Sequence, residues 1–324
     1  MRTKVSRDAT LRLVSELYYL RGMGLKDVAA VIGQSTATVS RMLQQARERG
    51  IVRIEVVPAD TDTAGLASML SDVLDVECLI LPAHGTDAAS ASRSLGAEAA
   101  EIVAARLPQR GVVGLAAGHT LHALVGSLPR QDRHELQLVP ALGGYNAVHP
   151  HLDTNALSRE AAQRLNCTAR SVLAPASVES PEARELLLSD PVIREATALW
   201  DEVDTAICST SVPAEVVRPG FSVMETIRNR TREELIARGM VGDVFGHLFD
   251  ITGEFDNDRW NSTLISMSLD QVRRARERIA LIAGVDKSKS ALGMARTRVP
   301  TLMIMDASAA IGVRDLLEAE SKAP

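Results

Sequence analysis

The sequence predicts an α/β chain made of a small helical head and a larger α/β body. Three observations carry this. Apolar residues near the start recur at helical spacing and are interrupted by one glycine. Six short apolar runs, separated by longer amphipathic ones, span the remainder. The charge also changes sign: residues 1–58 hold 10 Lys or Arg against 5 Asp or Glu, while the rest holds 26 against 36, within a net charge of −5 over 324 residues.

In the head, Leu25, Val28, Ala29 and Ile32 share one face of a helix. Gly33 supplies a turn, and Ser35 is a natural N-cap for a second helix. There Val39, Met42, Leu43 and Ala46 face inward, leaving Thr36, Thr38, Ser40, Arg41, Gln44 and Arg47 outside. A preceding amphipathic segment with Leu11, Val14, Leu17, Tyr18 and Leu20 completes a three-helix core, in which Tyr18 and Tyr19 serve packing. This is the pattern of a helix-turn-helix, and double-stranded DNA is the partner it suits. Thr36, Thr38, Ser40 and Arg41 are the candidates for base or phosphate contact, with Gln44 and Arg47 on the same face. Lys26 and the helix start at Ser35 suit phosphate. The excess of basic residues supplies salt-dependent attraction. The plainer alternative is a surface helical hairpin with a solvated face. Ile51–Val57 alternates well enough for a short strand after Gly50, a candidate wing.

Residues 59–324 fall within the size of one larger domain, joined through the polar stretch Asp60, Thr61, Asp62, Thr63 and Gly65. The 46% hydrophobic content argues for a folded globule. No apolar run approaches the ~20 residues that cross a bilayer, and Met1-Arg2-Thr3-Lys4 lacks a signal-peptide core, so the expectation is a cytoplasmic protein without a membrane partner. Cys78, Cys167 and Cys208 are too widely spaced for a metal site and are expected as reduced thiols. No metal and no cofactor is expected.

The strand candidates are Cys78–Leu81, Val112–Leu115, Leu136–Val139, Ala206–Cys208, Ile279–Ala283 and Leu302–Met305. Their alternation with helical runs predicts a Rossmann-like sheet covered on both faces, with ligands at the carboxyl ends of the strands. Five candidate ends are polar or glycine-rich: Ala117-Gly118-His119-Thr120, Gly143-Gly144, Phe249-Asp250-Ile251-Thr252-Gly253, Ala283-Gly284-Val285-Asp286-Lys287 and Met305-Asp306-Ala307-Ser308.

Along nearly its whole length the chain resembles the SorC-type sugar-binding transcriptional regulators. Ala117-Gly118-His119-Thr120 is similar to a W-G-x-T loop, Leu142-Gly143-Gly144 to a V-G-G turn, Asn155 to a helix-start asparagine, and Ala174-Pro175-Ala176 to an A-P-A segment. Gly239-Met240-Val241-Gly242-Asp243 resembles G-A-V-G-D, Leu248-Phe249-Asp250 with Gly253 resembles F-F-D-x-x-G, and Ala283-Gly284 with Lys287 resembles A-G-x-x-K. The resemblance implies an effector domain related to sugar-phosphate isomerases, used as a sensor without turnover. By motif, the effector would meet Gly118, His119, Thr120, Gly143, Gly144, Asp250 and Lys287. It also implies a homodimer or homotetramer. Ala117 stands where the family has tryptophan, His119 where threonine is common, Cys208-Ser209-Thr210-Ser211 in place of a glycine-rich turn, and Ala309 in place of a frequent threonine. A free polyol or another sugar derivative therefore stands beside a sugar phosphate as effector.

The expected function is a DNA-binding regulator whose operator affinity responds to a small carbohydrate. Two alternatives are a sugar-phosphate enzyme on the same fold, with Asp250, Asp243 or Lys287 as acid or base, and an assembly protein whose helical hairpin binds another protein.

Overall fold

The structure, a computed structural model, describes residues 7–52, 62–82, 84–85, 87–144, 150–211, 229–256 and 260–322. The chain forms two compact units, Met1–Ala59 and Asp60–Pro324.

In the first unit, α1 (Arg7–Ser15) runs into one wider turn over Glu16–Leu20 and is followed by α2 (Leu25–Ile32) and α3 (Thr36–Glu48). Gly33 closes α2 with a φ of 66°, a left-handed geometry that a Cβ disfavours. The faces read from the helical period are the buried ones: Leu11, Val14, Leu17, Val28, Ala29, Val39, Leu43 and Ala46 make the core. Tyr18 and Tyr19 meet edge to face at 5.0 Å and pack against it. Arg49 at the end of α3 pairs with Asp8 of α1 at 2.6 Å. The amides of Ile51 and Val52 both donate to the Ala46 carbonyl, closing the helix. The strand expected over Ile51–Val57 lies outside the described residues from position 53 onward.

The second unit opens with α4 (Thr63–Leu74), whose first turn is capped by Asp62 accepting from the Gly65 amide at 2.8 Å. The strands that follow are β1 (Glu77–Leu81), β2 (Arg110–Leu115), β3 (Glu135–Pro140), β4 (Thr168–Ala169), β5 (Val203–Ser209), β6 (Met240–Val244), β7 (His247–Asp250), β8 (Glu277–Ile282) and β9 (Leu302–Asp306). The helices are α5 (Ala88–Glu98), α6 (Ala100–Arg106), α7 (His119–Ser127), α8 (Thr154–Leu165), α9 (Pro181–Ser189) and α10 (Pro191–Ala198). They continue with α11 (Asn229–Ala237), α12 (Leu269–Arg274), α13 (Ser288–Arg296) and α14 (Ala307–Ser321).

Seven strands form one parallel sheet in the order β1-β9-β8-β5-β2-β3-β4. All six apolar runs singled out in the sequence lie in it. They read as nearly unbroken apolar stretches because both faces are covered; every residue of β9 is buried. Strands β6 and β7 stand apart as an antiparallel ribbon.

The topology fixes where a ligand can sit. From β2 the chain proceeds to β3 and β4, and from β5 it proceeds to β8 and β9, so the neighbours β2 and β5 flank the point where strand order reverses. A crevice at such a reversal, outside the carboxyl ends, is the usual ligand position of an open α/β sheet. At the other edge, buried Arg133 ends α6. Its guanidinium donates to the carbonyls of Ala104, Leu107 and Pro108 at 2.8–2.9 Å and to the Gln131 side chain at 2.7 Å.

Candidate functional site

Helix α3 presents Thr36, Ser40, Arg41, Gln44 and Arg47 to solvent on one side, and Lys26 is exposed in the first turn of α2. Helical spacing explains the grouping, since positions three, four and seven apart return to the same face. Ser35 and Thr38 have a different part. The Ser35 hydroxyl accepts from the Thr38 amide at 3.1 Å and lies 2.8 Å from the Thr38 hydroxyl, so this pair fixes the first turn of α3. Thr38 is half-buried as a result.

In the body, the expected strand ends separate into two groups. Ala117–Thr120, Gly143-Gly144, Ala283–Lys287 and Met305–Ser308 all follow strands of the parallel sheet at its carboxyl edge. Phe249–Gly253 does not; it ends the ribbon. Asp250 pairs with Met240 at the ribbon's far end, and its carbonyl lies 2.6 Å from where a Gly293 Cβ would stand. That position is about 9 Å along α13 from Lys287. The Asp250 carboxylate accepts from the Thr252 amide and hydroxyl and from the Glu254 amide at 2.7–3.1 Å, which makes it the cap of its own turn. The structure therefore does not bring Asp250 to Lys287.

The aspartate at the carboxyl edge is Asp243. It is buried, and its two carboxylate oxygens accept from the Ser211 amide at 2.8 Å and the Gly246 amide at 2.9 Å. Its own amide donates to the Thr210 hydroxyl, which in turn lies 2.6 Å from the Ser290 hydroxyl of α13. Burial pushes the Asp243 pKa up, against the pull of these hydrogen bonds and of Lys287. Lys287 follows β8 and is partly buried. Burial pushes its pKa down, opposed by the carboxylates of Asp286, Asp243 and Asp306. It forms no ion pair within 4.0 Å among the described residues.

Around Asp243 lies a cleft. One side is the end of β2 and β5: Ala116, Ala117, Ser209 and Ser211. Leu142, Phe245 and Gly246 close the other. It measures about 300 Å³ when the part open to solvent is counted, and its enclosed part holds about one water. Phe245 and Gly246 both adopt positive φ, 52° and 86°, in a two-residue turn between β6 and β7. The turn is pinned from outside. Ser266 donates to the Phe245 carbonyl at 2.7 Å and the Trp260 indole to the Gly246 carbonyl at 3.0 Å.

Gly118, with a φ of 120°, precedes α7 beside Ser209, whose hydroxyl is 3.4 Å from where a Gly118 Cβ would point. The first intrahelical bond there runs from the His122 amide to the Gly118 carbonyl at 2.8 Å. The amides of His119, Thr120 and Leu121 thus belong to the open first turn of the helix. Thr120 is buried. Gly143 and Gly144 serve a different need: a Gly143 Cβ would fall 2.4 Å from the Pro175 carbonyl oxygen. Their amides donate to Ile265 and Ala174. Asn155 completes this bracket by exchanging hydrogen bonds with the Val172 backbone at 2.8 and 3.2 Å. A wider charged groove, by Asp72, Asp75, Arg278 and Arg298, opens at the amino edge of the sheet, away from the strand ends.

The sequence marked Cys208–Ser211 only as a departure from the family's glycine-rich turn, and it did not point to Ser209, Ser211 or the Phe245-Gly246 turn as lining residues. Their signal was weak, because the turn lacks an Asn-Gly or Asp-Gly pair and the serines sit in an ordinary strand end.

Residues 61–313 match the family model described as "Putative sugar-binding domain". The chain belongs to this SorC-type sugar-binding family. It is 25% identical over 283 residues to the sorbitol operon regulator of Klebsiella pneumoniae, covering 86% of this chain and 89% of that protein. It is 25% identical to the erythritol catabolism regulatory protein of Brucella abortus, covering 84% and 85%. With the deoxyribonucleoside regulator of Bacillus subtilis it shares 23% identity, covering 90% and 93%. Among solved structures, the full-length sorbitol operon regulator superimposes with a TM-score of 0.72 at 24% identity, covering 93% and 97%. These family relatives are named as regulators rather than enzymes. No helix among the described residues is long and apolar enough to cross a membrane.

Proposed function

We propose that this chain is a transcriptional regulator that binds operator DNA through α3 and changes its operator affinity when a small carbohydrate occupies the cleft at the ends of β2 and β5. The observation that carries the reading is that cleft: it lies where strand order reverses, lined by a buried carboxylate and two serines, with Ala117, next to the start of α7, in its wall. On the DNA side, Thr36, Ser40, Arg41 and Gln44 contact base edges, Arg47 and Lys26 contact phosphate, and Ser35 with Thr38 sets the start of α3. On the effector side, Gly118, His119 and Thr120 offer the first turn of α7, Asp243 takes the part expected of Asp250, and Lys287 donates. Gly143 and Gly144 shape the wall through their contact with residues 174–176. Two copies cover a two-fold operator, and the protein works in the cytoplasm as a homodimer or homotetramer.

The test is a gel shift with the DNA upstream of its own gene, run across a salt series with and without a panel of sugars and polyols. A shift that weakens linearly with log salt and responds to at least one carbohydrate is expected. Lys287→Ala should keep the shift and blunt the response. Absence of any salt-sensitive shift would remove the regulator reading.

A further inference from the structure

Of the strand ends singled out in the sequence, Met305-Asp306-Ala307-Ser308 has no part in the effector site proposed above, and the inference it carries rests on that reading of the site. Asp306 is the last residue of β9 and is buried. Its Oδ1 accepts from the Ala309 amide at 2.8 Å and the Ser308 hydroxyl at 2.9 Å, which caps α14. One oxygen suffices for a cap; Asp190 caps α10 with its Oδ1 alone. The other oxygen of Asp306, Oδ2, reaches past the end of the neighbouring strand β8 and accepts from the Gly284 amide at 2.9 Å. All three donors are uncharged, and a serine or asparagine would cap α14 without the cost of burying a charge. The second contact accounts for the carboxylate, because holding both ends takes two acceptor oxygens that point apart.

Gly284 opens the turn that bears Lys287. Its φ is 95°, and a Cβ there would fall 2.6 Å from the Asp286 carboxylate. The Lys287 amide donates back to the Gly284 carbonyl at 3.0 Å, so Val285–Lys287 is a single tight turn pivoting on the residue that Asp306 holds. No residue of this turn is fully buried, and Val285 is 59% exposed, so hydrogen bonds rather than apolar packing fix its position. Its other brace is Ser288, whose hydroxyl donates to the Val285 carbonyl at 2.7 Å and lies 3.3 Å from the Ala309 carbonyl oxygen. The frame behind the turn is firm, since Ala307, Ala309, Ala310 and Val313 of α14 are buried. In front of it, α13 reaches Asp243 through the Ser290 and Thr210 hydroxyls.

We propose that Asp306 is a positioning residue for effector recognition: by holding the Gly284 amide it fixes the turn that carries Lys287, and through Lys287 it sets the affinity for the carbohydrate.

The experiment uses the full chain. Sorbitol, erythritol, fructose, 2-deoxyribose and a monophosphate of each are screened by thermal shift, and the compound that raises the melting temperature most is the probe. Calorimetry reads its affinity for wild type, Asp306→Asn, Lys287→Ala and the double variant, and the gel shift reads operator binding. Asparagine keeps one oxygen for the cap of α14 and sets an NH2 group against the Gly284 amide. With Lys287 present, Asp306→Asn should weaken probe binding tenfold or more; in the Lys287→Ala background it should change binding less than twofold. Operator binding without the probe should be unchanged. Equal loss in both backgrounds, or no loss with Lys287 present, overturns the proposal and leaves the carbohydrate reading standing. Where Lys287→Ala leaves no measurable binding, amide exchange decides: Asp306→Asn should speed exchange at residues 284–287 while 309–313 stay protected, and unchanged exchange at 284–287 overturns the proposal. If Asp306→Asn does not fold, Gly284→Ala, which leaves the α14 cap intact, goes through the same cycle with the same expectations. A Lys287→Ala variant that binds the probe as wild type does, or the failure of every compound to bind, overturns the effector-site reading and the proposal together.

Discussion

The head keeps its charges in water, whereas the body takes several of them inside. In the helix-turn-helix, Lys26, Arg41 and Arg47 are exposed, and the core is a small apolar set drawn from three helices. In the body, Asp243, Asp306 and Arg133 are buried, and each is held by backbone groups brought together from distant parts of the sequence. The contrast separates two ways of building function. A surface that reads DNA needs side chains at helical spacing and little else. A buried polar cleft needs groups whose desolvation is offset by fixed donors, and only tertiary structure supplies those.

The largest effect that should sharpen this contrast comes from Arg133→Ala. It strips one buried guanidinium from three carbonyls and should cost the body about 3 kcal/mol, read as a lower denaturant midpoint. The residues proposed to contact the operator are untouched, so with effector absent and the protein still folded, operator affinity should hold. Equal loss of both would break the division between the two units. Next comes Arg41→Ala. An exposed arginine on α3 should be worth about 1–3 kcal/mol of operator binding if it reads a base, and about one unit of salt slope if it meets phosphate. The denaturation midpoint should not move.

The smallest effect concerns His247. Burial holds its pKa below the ordinary value, with the ring Nε2 2.8 Å from the Met267 carbonyl oxygen. The unfolded chain takes up a proton near pH 6.5 and the folded one only at lower pH, so His247 makes stability fall as the solution is acidified below about pH 6.5, by up to about 1.4 kcal/mol per pH unit. Asp243 has the opposite sign, since its raised pKa favours the folded state at low pH and that contribution is lost as pH rises. The comparison that isolates the histidine is therefore the pH slope of wild type against His247→Gln, which should lack the acid-side loss attributable to position 247. Identical slopes would mean that the ring titrates in the folded protein as it does in the unfolded chain.

The same contrast explains what could be read beforehand. Leu25 to Ala46 announced two helices and their buried face because the helical period sorts residues without reference to anything distant. The six apolar runs announced the parallel sheet because strands covered on both faces are apolar throughout. Strand β4 gave no such signal, since Thr168-Ala169 is only two residues long. The ribbon was hidden because its first strand contains Gly242 and Asp243, both poor strand formers. Asp243 and Asp250 look alike in sequence, each ending a short apolar stretch. Their separation comes from the antiparallel register, which pairs Asp243 with Leu248 at one end of the ribbon and Asp250 with Met240 at the other. Thr38 was misleading for a local reason: a hydroxyl three residues after an N-cap serine is as close to the cap as to the groove.

Phe245 carries a conflict between backbone and side chain. Its left-handed geometry costs a residue with a Cβ about 1–2 kcal/mol, and glycine would adopt it freely. The residue lines the cleft, and its ring is buried in the core. Glycine would relieve that strain but leave a cavity where the buried ring packs, at about 3–5 kcal/mol, so the ring is what holds the strained turn in place. Core packing thus reaches out to fix the shape of the rim of the cleft, and the bend there is as firm as the interior that anchors it.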